Sequence, residues 1–163
     1  MIVRRPVQIT QDMEGKEGVI VVGYGRIGQV HLASVLAHPK LFLHTLVGKD
    51  ETRCKNALAT ALKPHLNREG KLKEGDMPHA LNSANFKELI EKNDPIFENA
   101  RYMVIASPTP NHADLIDIAL KYKKPFHILC EKPLTTDPAT NKALYEKANK
   151  AGVSLITGKF STF

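Results

Sequence analysis

Two hydrophobic rhythms alternate along this chain. Residues 19–22, Val-Ile-Val-Val, form a short unbroken apolar run that ends at Gly23. Such a run predicts a strand buried on both faces of a parallel sheet. Residues 41–47, 102–106, 126–130 and 153–157 read the same way. Between these runs the apolar residues recur at helical spacing. Ile27, Val30, Val35 and Leu36 predict a helix over 26–37, stopped by Pro39. Asp50 is the predicted cap of a helix that ends near residue 62, ahead of Pro64. Further helices are predicted over 85–92, from Ala113 through Leu120, and from Asp137-Pro138 to Ala151, where Gly152 closes the last one.

Two stretches break the rhythm. Residues 1–16 are mixed polar, with Pro6 and Gly15, and predict a loose arm. Residues 63–82 carry Gly70, Gly75, Pro78 and many charges, and predict an exposed irregular insertion with one weak strand near 79–82. Elsewhere strands alternate with helices, which calls for parallel pairing and right-handed crossovers. The predicted fold is α/β: an open, doubly wound parallel sheet with helices on both faces, spanning residues 18–158. Residues 1–17 are the arm that precedes it.

The first turn of this sheet reads Gly23-Tyr24-Gly25-Arg26-Ile27-Gly28, a G-x-G-x-x-G. It follows a strand directly and opens a helix, the context in which the pattern predicts a Rossmann dinucleotide site. Gly23 would permit the tight turn, Gly25 would leave room for a pyrophosphate, and Gly28 would let the helix pack closely. Arg26 and Ile27 begin that helix, whose free N–H groups and dipole would face the phosphates. An acid about 20 residues further on, at the end of the second strand, would select NAD. The chain has Gly48-Lys49-Asp50 there. If Gly48 holds the position, it leaves room for a 2′-phosphate and Lys49 offers a cation, which favours NADP(H). If the register lies two residues later, Asp50 is the acid and NAD is favoured.

Composition narrows the function classes. The chain has 163 residues, enough for one domain, and its 42% hydrophobic and 25% charged content argues against disorder over most of its length. A net charge of +6 favours anionic partners. The basic residues are dispersed, however, with Lys121, Lys123 and Lys124 the densest group, and aromatic residues are only 6% of the chain. Nucleic acid is therefore not an expected partner. No apolar run would span a bilayer and no leader pattern is visible, so neither a membrane nor export is expected, and a cytoplasmic location is. Cys54 and Cys130 lack metal-ligand spacing and are expected to be buried small hydrophobes in a reducing compartment, with no metal site.

Two more turns carry chemistry. Ser107-Pro108-Thr109-Pro110-Asn111-His112 follows one predicted strand, and Glu131-Lys132-Pro133 follows another. Ligands of doubly wound sheets bind outside the carboxyl ends of the strands, so both turns should converge with the glycine turn on one crevice. With these three motifs in this order, the chain resembles the N-terminal nucleotide-binding domain of the Gfo/Idh/MocA family, the relatives of glucose-fructose oxidoreductase and inositol dehydrogenase, over about residues 19–160. The resemblance implies an oxidoreductase that moves hydride between NADP(H), with NAD the alternative, and a CH–OH or C=O group of a sugar, polyol or similar small molecule. It implies that Lys132 is catalytic, polarising a substrate hydroxyl or relaying its proton beside the nicotinamide. Glu131 and Pro133 would fix that lysine, and Pro133 admits a cis peptide bond. Ser107, Pro108, Thr109 and Asn111 would border the cofactor ribose and nicotinamide. His112 is either a second catalytic group or a hydrogen bonder at a helix start.

Members of that family continue into a second α/β domain that holds the substrate and supplies a further acid and histidine. Here Gly158-Lys159-Phe160 resembles the start of that domain and Ser161-Thr162-Phe163 follows, so the second, substrate domain is expected to be missing, with 159–163 its truncated start. Three readings stay open: a piece of a full oxidoreductase, a cofactor module completed by a partner chain, or a non-catalytic dinucleotide sensor or interaction module. An uncovered face would also suit a homo-oligomer. A SAM-dependent methyltransferase shares the glycine turn after a first strand, but the Glu131-Lys132-Pro133 turn argues against that class.

Overall fold

The computed structural model describes residues 14–66 and 77–158. They form six strands: β1 (Glu17–Val22), β2 (Leu41–Gly48), β3 (His79–Asn82), β4 (Ala100–Ile105), β5 (His127–Glu131) and β6 (Leu155–Gly158). Five helices join them: α1 (Arg26–Ala37), α2 (Glu51–Leu62), α3 (Ser83–Glu91), α4 (His112–Lys121) and α5 (Pro138–Lys150). The sheet order is β3-β2-β1-β4-β5-β6, and every neighbouring pair is parallel. The chain therefore winds outward from β1 in both directions. This is the predicted doubly wound α/β fold.

The unbroken apolar runs are explained by the two layers of helices. On one face, Val19 and Val21 of β1 pack with Leu32 and Val35 of α1 and with Leu58 and Leu62 of α2. On the other, Ile20 and Val22 pack with Phe86 and Ile90 of α3, Leu115 and Ile116 of α4, and Leu144 of α5. Successive strand residues point to opposite faces, so a strand covered on both sides must be apolar at every position. Cys54 and Cys130 are both fully buried and free. Burial pushes their thiols up to about 11 and about 12 respectively, which keeps them protonated and poorly nucleophilic.

Several boundaries differ from the sequence reading for local reasons. Helix α3 starts at Ser83 because the Asn82 side-chain oxygen accepts from the backbone N–H of Asn85 at 2.8 Å. The segment Pro95–Phe97 is a 3-10 turn rather than plain loop, capped by Asp94. It buries Phe97 at 5.5 Å from the Phe86 ring centroid and 6.0 Å from that of Tyr122. Strand β4 starts two residues before the predicted run, and β6 two residues after it. In the predicted insertion, Lys63–His65 is a 3-10 turn and β3 is present as expected. Readings that fall on 1–13, 67–76 and 159–163 lie outside the described residues. Among the described residues no helix is long and apolar enough to cross a membrane.

One polar group in the core has energetic consequences. His44 of β2 is fully buried, with Nδ1 2.8 Å from the Thr45 hydroxyl and its ring 5.7 Å from the His79 ring. Burial first, and the neighbouring His79 second, lower its pKa to about 3. The unfolded chain takes up a proton near pH 6.5, where the folded ring stays neutral. Its contribution is thus complete above pH 6.5 and is lost as pH falls toward 3. We expect the urea-unfolding free energy of His44→Phe to fall less between pH 6.5 and 4 than that of the unsubstituted chain, by up to about 3 kcal/mol. Parallel pH dependences would contradict this.

Candidate functional site: a crevice at the carboxyl ends of β1 and β4

The glycine turn is built by two close backbone approaches and one open position. Gly23 has φ +100, and a Cβ on it would lie 2.6 Å from the Ala106 carbonyl oxygen at the end of β4. A Cβ on Gly28 would lie 2.1 Å from the Gly23 carbonyl oxygen, so α1 rests directly on the turn. Gly25 differs from both, for a Cβ there would meet nothing within 4 Å. Gly25 is also the residue before α1, and no side chain caps that helix end. The first N–H groups of α1 are thus left for an external acceptor.

In front of Gly25 lies a cavity of about 880 Å³. Of the predicted residues, Gly23, Gly25, Arg26, Ile27, Gly48, Lys49, Ser107, Pro108 and Asn111 line it. Gly28 stands behind the turn as a packing residue, and Thr109 begins the 3-10 turn Thr109–Asn111. The Ser107 hydroxyl oxygen is buried and has no hydrogen-bond partner. A cavity with an open glycine, an uncapped helix start, three cationic side chains and an orphaned hydroxyl fits an anionic, hydroxyl-rich ligand such as a dinucleotide.

Lys49, Arg26 and Lys87 supply the positive charge. Nothing in the local sequence marks Lys87 as a site residue. It follows Ser83 by one helical turn on α3, so it shares the face that meets the cavity, and it pairs with Asp114 of α4. Ser83 itself donates to the Gly48 carbonyl at 3.0 Å. Asp50, the alternative acid, is used otherwise: its carboxylate accepts from the backbone N–H of Arg53 at 2.8 Å and caps α2. The room above Gly48 is also taken, since a Cβ there would lie 2.0 Å from the Tyr24 ring and 2.7 Å from the Cys54 sulfur.

The Glu131-Lys132-Pro133 turn adjoins the cavity without lining it. Lys132 is exposed, and the Lys132–Pro133 peptide is cis. Two histidines tie this turn to the others. His31 of α1 sits with Nε2 2.6 Å from the Glu131 carboxylate, each side chain 12% exposed. His112 is 1% exposed. Its Nε2 lies 2.7 Å from the Ser107 carbonyl oxygen, and its Nδ1 lies 3.0 and 3.1 Å from those of Pro133 and Leu134. Carbonyl oxygens only accept, so whichever ring nitrogen carries hydrogen donates to one of the two turns. His112 therefore stands beneath the turns as a brace. Nothing in the local sequence marks His31, because its partner lies 100 residues away. Among the described residues no group of three or more His, Cys, Asp or Glu could hold a metal ion.

Such a crevice at the reversal point of a parallel sheet, fronted by a glycine turn, defines a nucleotide-binding Rossmann domain. Residues 18–159 match the family model of the Gfo/Idh/MocA oxidoreductases, NAD-binding Rossmann fold, and the chain belongs to that family. It is 32% identical over 138 residues to a myo-inositol 2-dehydrogenase of Thermotoga maritima, covering 85% of this chain and 34% of that protein. The chain thus spans about a third of the length of that curated relative. Among solved structures it is similar to GenD2 from gentamicin A biosynthesis in complex with NAD (TM-score 0.65, 24% identity, 97% of this chain and 37% of the other). It is likewise similar to KijD10, a 3-ketoreductase of Actinomadura kijaniata in complex with NADP and TDP-benzene (TM-score 0.64, 22% identity, 88% and 37%).

The brace predicts a measurable cost. His112→Leu removes the ring N–H that donates to one of the two turns, and should lower the urea-unfolding free energy by about 1–3 kcal/mol. An unchanged midpoint would show that water replaces the ring without loss.

Proposed function

We propose that this chain is the cofactor-binding part of an oxidoreductase that transfers hydride between NADP(H) and a CH–OH or C=O carbon of a sugar, polyol or similar compound, in the cytoplasm. The observation that carries the reading is the open side of Gly25 beside an uncapped α1, inside the cavity that Lys49 and Ser107 border. The pyrophosphate would accept from the N–H groups at the start of α1, with Arg26 near its charge. Ser107, Pro108, Thr109 and Asn111 would hold the ribose and nicotinamide end. The nicotinamide supplies hydride acceptance and donation when bound.

The chain's own task at the reacting carbon is proton handling. Lys132, exposed in the turn after β5, would donate to the substrate oxygen or take its proton. Glu131 and Pro133 would hold its backbone, and His112 would position the turn from below. The inositol dehydrogenase relative supports a cyclic polyol as substrate class. The substrate would approach from the Lys132 side, where a second domain or partner chain would close the site.

Two glycines give opposite expectations. Gly25→Asp keeps a favourable helix cap but sets a carboxylate where the pyrophosphate would lie, so it should retain the melting temperature while weakening NADPH and NADH more than tenfold, on the order of 1.4 kcal/mol or more. Gly28→Ala forces a methyl group into the Gly23 carbonyl and should lower the melting temperature. Calorimetric titration and thermal melts of both variants check this. Undiminished dinucleotide binding by Gly25→Asp would overturn the assignment of the site.

A further inference from the structure

The end of β2 is closed from above. An ideal Cβ on Gly48 would lie 2.0 and 2.6 Å from two carbons of the Tyr24 ring and 2.7 Å from the Cys54 sulfur. These distances are far inside contact, so Gly48 is glycine because the Tyr24 ring lies against its backbone. The ring packs on the cluster that contains Val21, Leu46 and Cys54, and the Tyr24 backbone is tied to α1 by the Gln29 side chain, which donates to its carbonyl at 3.2 Å. The same residue faces the cavity together with Gly48 and Lys49. The two acids that follow are engaged with α2: Asp50 caps it, and Glu51 pairs with Lys55 at 2.9 Å.

We infer that Tyr24 is a specificity-determining residue for the cofactor: by filling the space over position 48 it keeps a carboxylate away from the adenosine ribose, so that Lys49 is the charged group that meets the ribose 2′ position. The inference rests on the dinucleotide reading above and deepens it. A carboxylate at the end of β2 accepts from the two ribose hydroxyls and repels a 2′-phosphate. With the ring in its place no such acceptor can stand at 48, while a lysine attracts the phosphate dianion. Selectivity for NADP(H) is thus set by packing at Tyr24, on the glycine turn, and is read out at Lys49, one strand away. Gly48 alone does not leave room for the phosphate, because the vacated volume belongs to the ring.

The test titrates NADPH and NADH into four chains and records their melting temperatures. The chains are the unsubstituted one, Gly48→Asp, Tyr24→Ala/Cys54→Ala, and the triple variant Tyr24→Ala/Gly48→Asp/Cys54→Ala. The unsubstituted chain is expected to bind NADPH about tenfold or more tighter than NADH. Gly48→Asp alone should melt at a markedly lower temperature. The triple variant should melt within a few degrees of the double variant and bind NADH about tenfold tighter than NADPH. A folded triple variant that still prefers NADPH overturns the role of Tyr24, and so does an unsubstituted chain that prefers NADH; both leave the dinucleotide site standing. Binding of neither dinucleotide by the unsubstituted chain overturns both readings. Gly48→Ala adds a check that does not need the triple variant to fold: a wild-type melting temperature there overturns the packing argument by itself.

Discussion

Helix α1 can begin where it does only because Gly28 presents no side chain to the Gly23 carbonyl, which would stand 2.1 Å from its Cβ. Much of the site follows from that contact. It brings the helix start up against the end of β1, leaving N–H groups free beside Gly25. It also fixes Tyr24 between the two glycines, with its ring turned onto β2. Gly23 then closes against the end of β4, so the glycine turn and the Ser107 turn share one wall. A methyl group at Gly28 would act on every one of these placements at once.

The remaining order comes from side chains that cross between turns. His31 reaches from α1 to Glu131, and His112 reaches from α4 to the backbone of both the Ser107 and Pro133 turns. Loops at the ends of strands are ordinarily the least stable parts of a domain. Here the turns that would hold cofactor and substrate are linked to helices by buried or nearly buried imidazoles. The arrangement sets an exposed Lys132 on a braced turn, which suits the proton-handling role proposed for it. One stretch of the sheet is less well covered. Tyr102, His127, Leu129 and Ile156 border a hollow of about 310 Å³ on the α1 side of β4–β6, with Ile156 58% exposed.

The parts of this molecule legible in the sequence are those set by neighbours along the chain. Residues 19–22 announce a buried strand because each position faces a helix layer, and the glycine turn is recognisable because its three constraints fall within six residues. Strand β3 gives a weak signal because only Leu81 of its four residues is buried. The 3-10 turn at Pro95–Phe97 gives none, since its Phe97 is buried by the distant Phe86, Tyr122 and Phe126. The same division holds at the site. Gly48 was visible as a missing acid, but the Tyr24 ring that makes it a glycine lies 24 residues away in sequence and could be seen only in three dimensions. His31 and Lys87 were hidden for the same reason, one meeting Glu131 and the other Asp114 across the fold.

The proposed dinucleotide site draws the glycine turn, the end of β2 and the Ser107 turn into one cavity at the carboxyl edge of the sheet, with the Lys132 turn beside it. Amide chemical shifts of the isotopically labelled chain, recorded as NADPH is added, test this most directly. The account predicts saturable shifts at Gly23–Gly28, at Gly48 and Lys49, at Ser107 and Asn111, and at Glu131 and Lys132, with the opposite edge around His38 and Lys40 unmoved. Saturable shifts centred on that opposite edge, or on the hollow near Ile156, would contradict it.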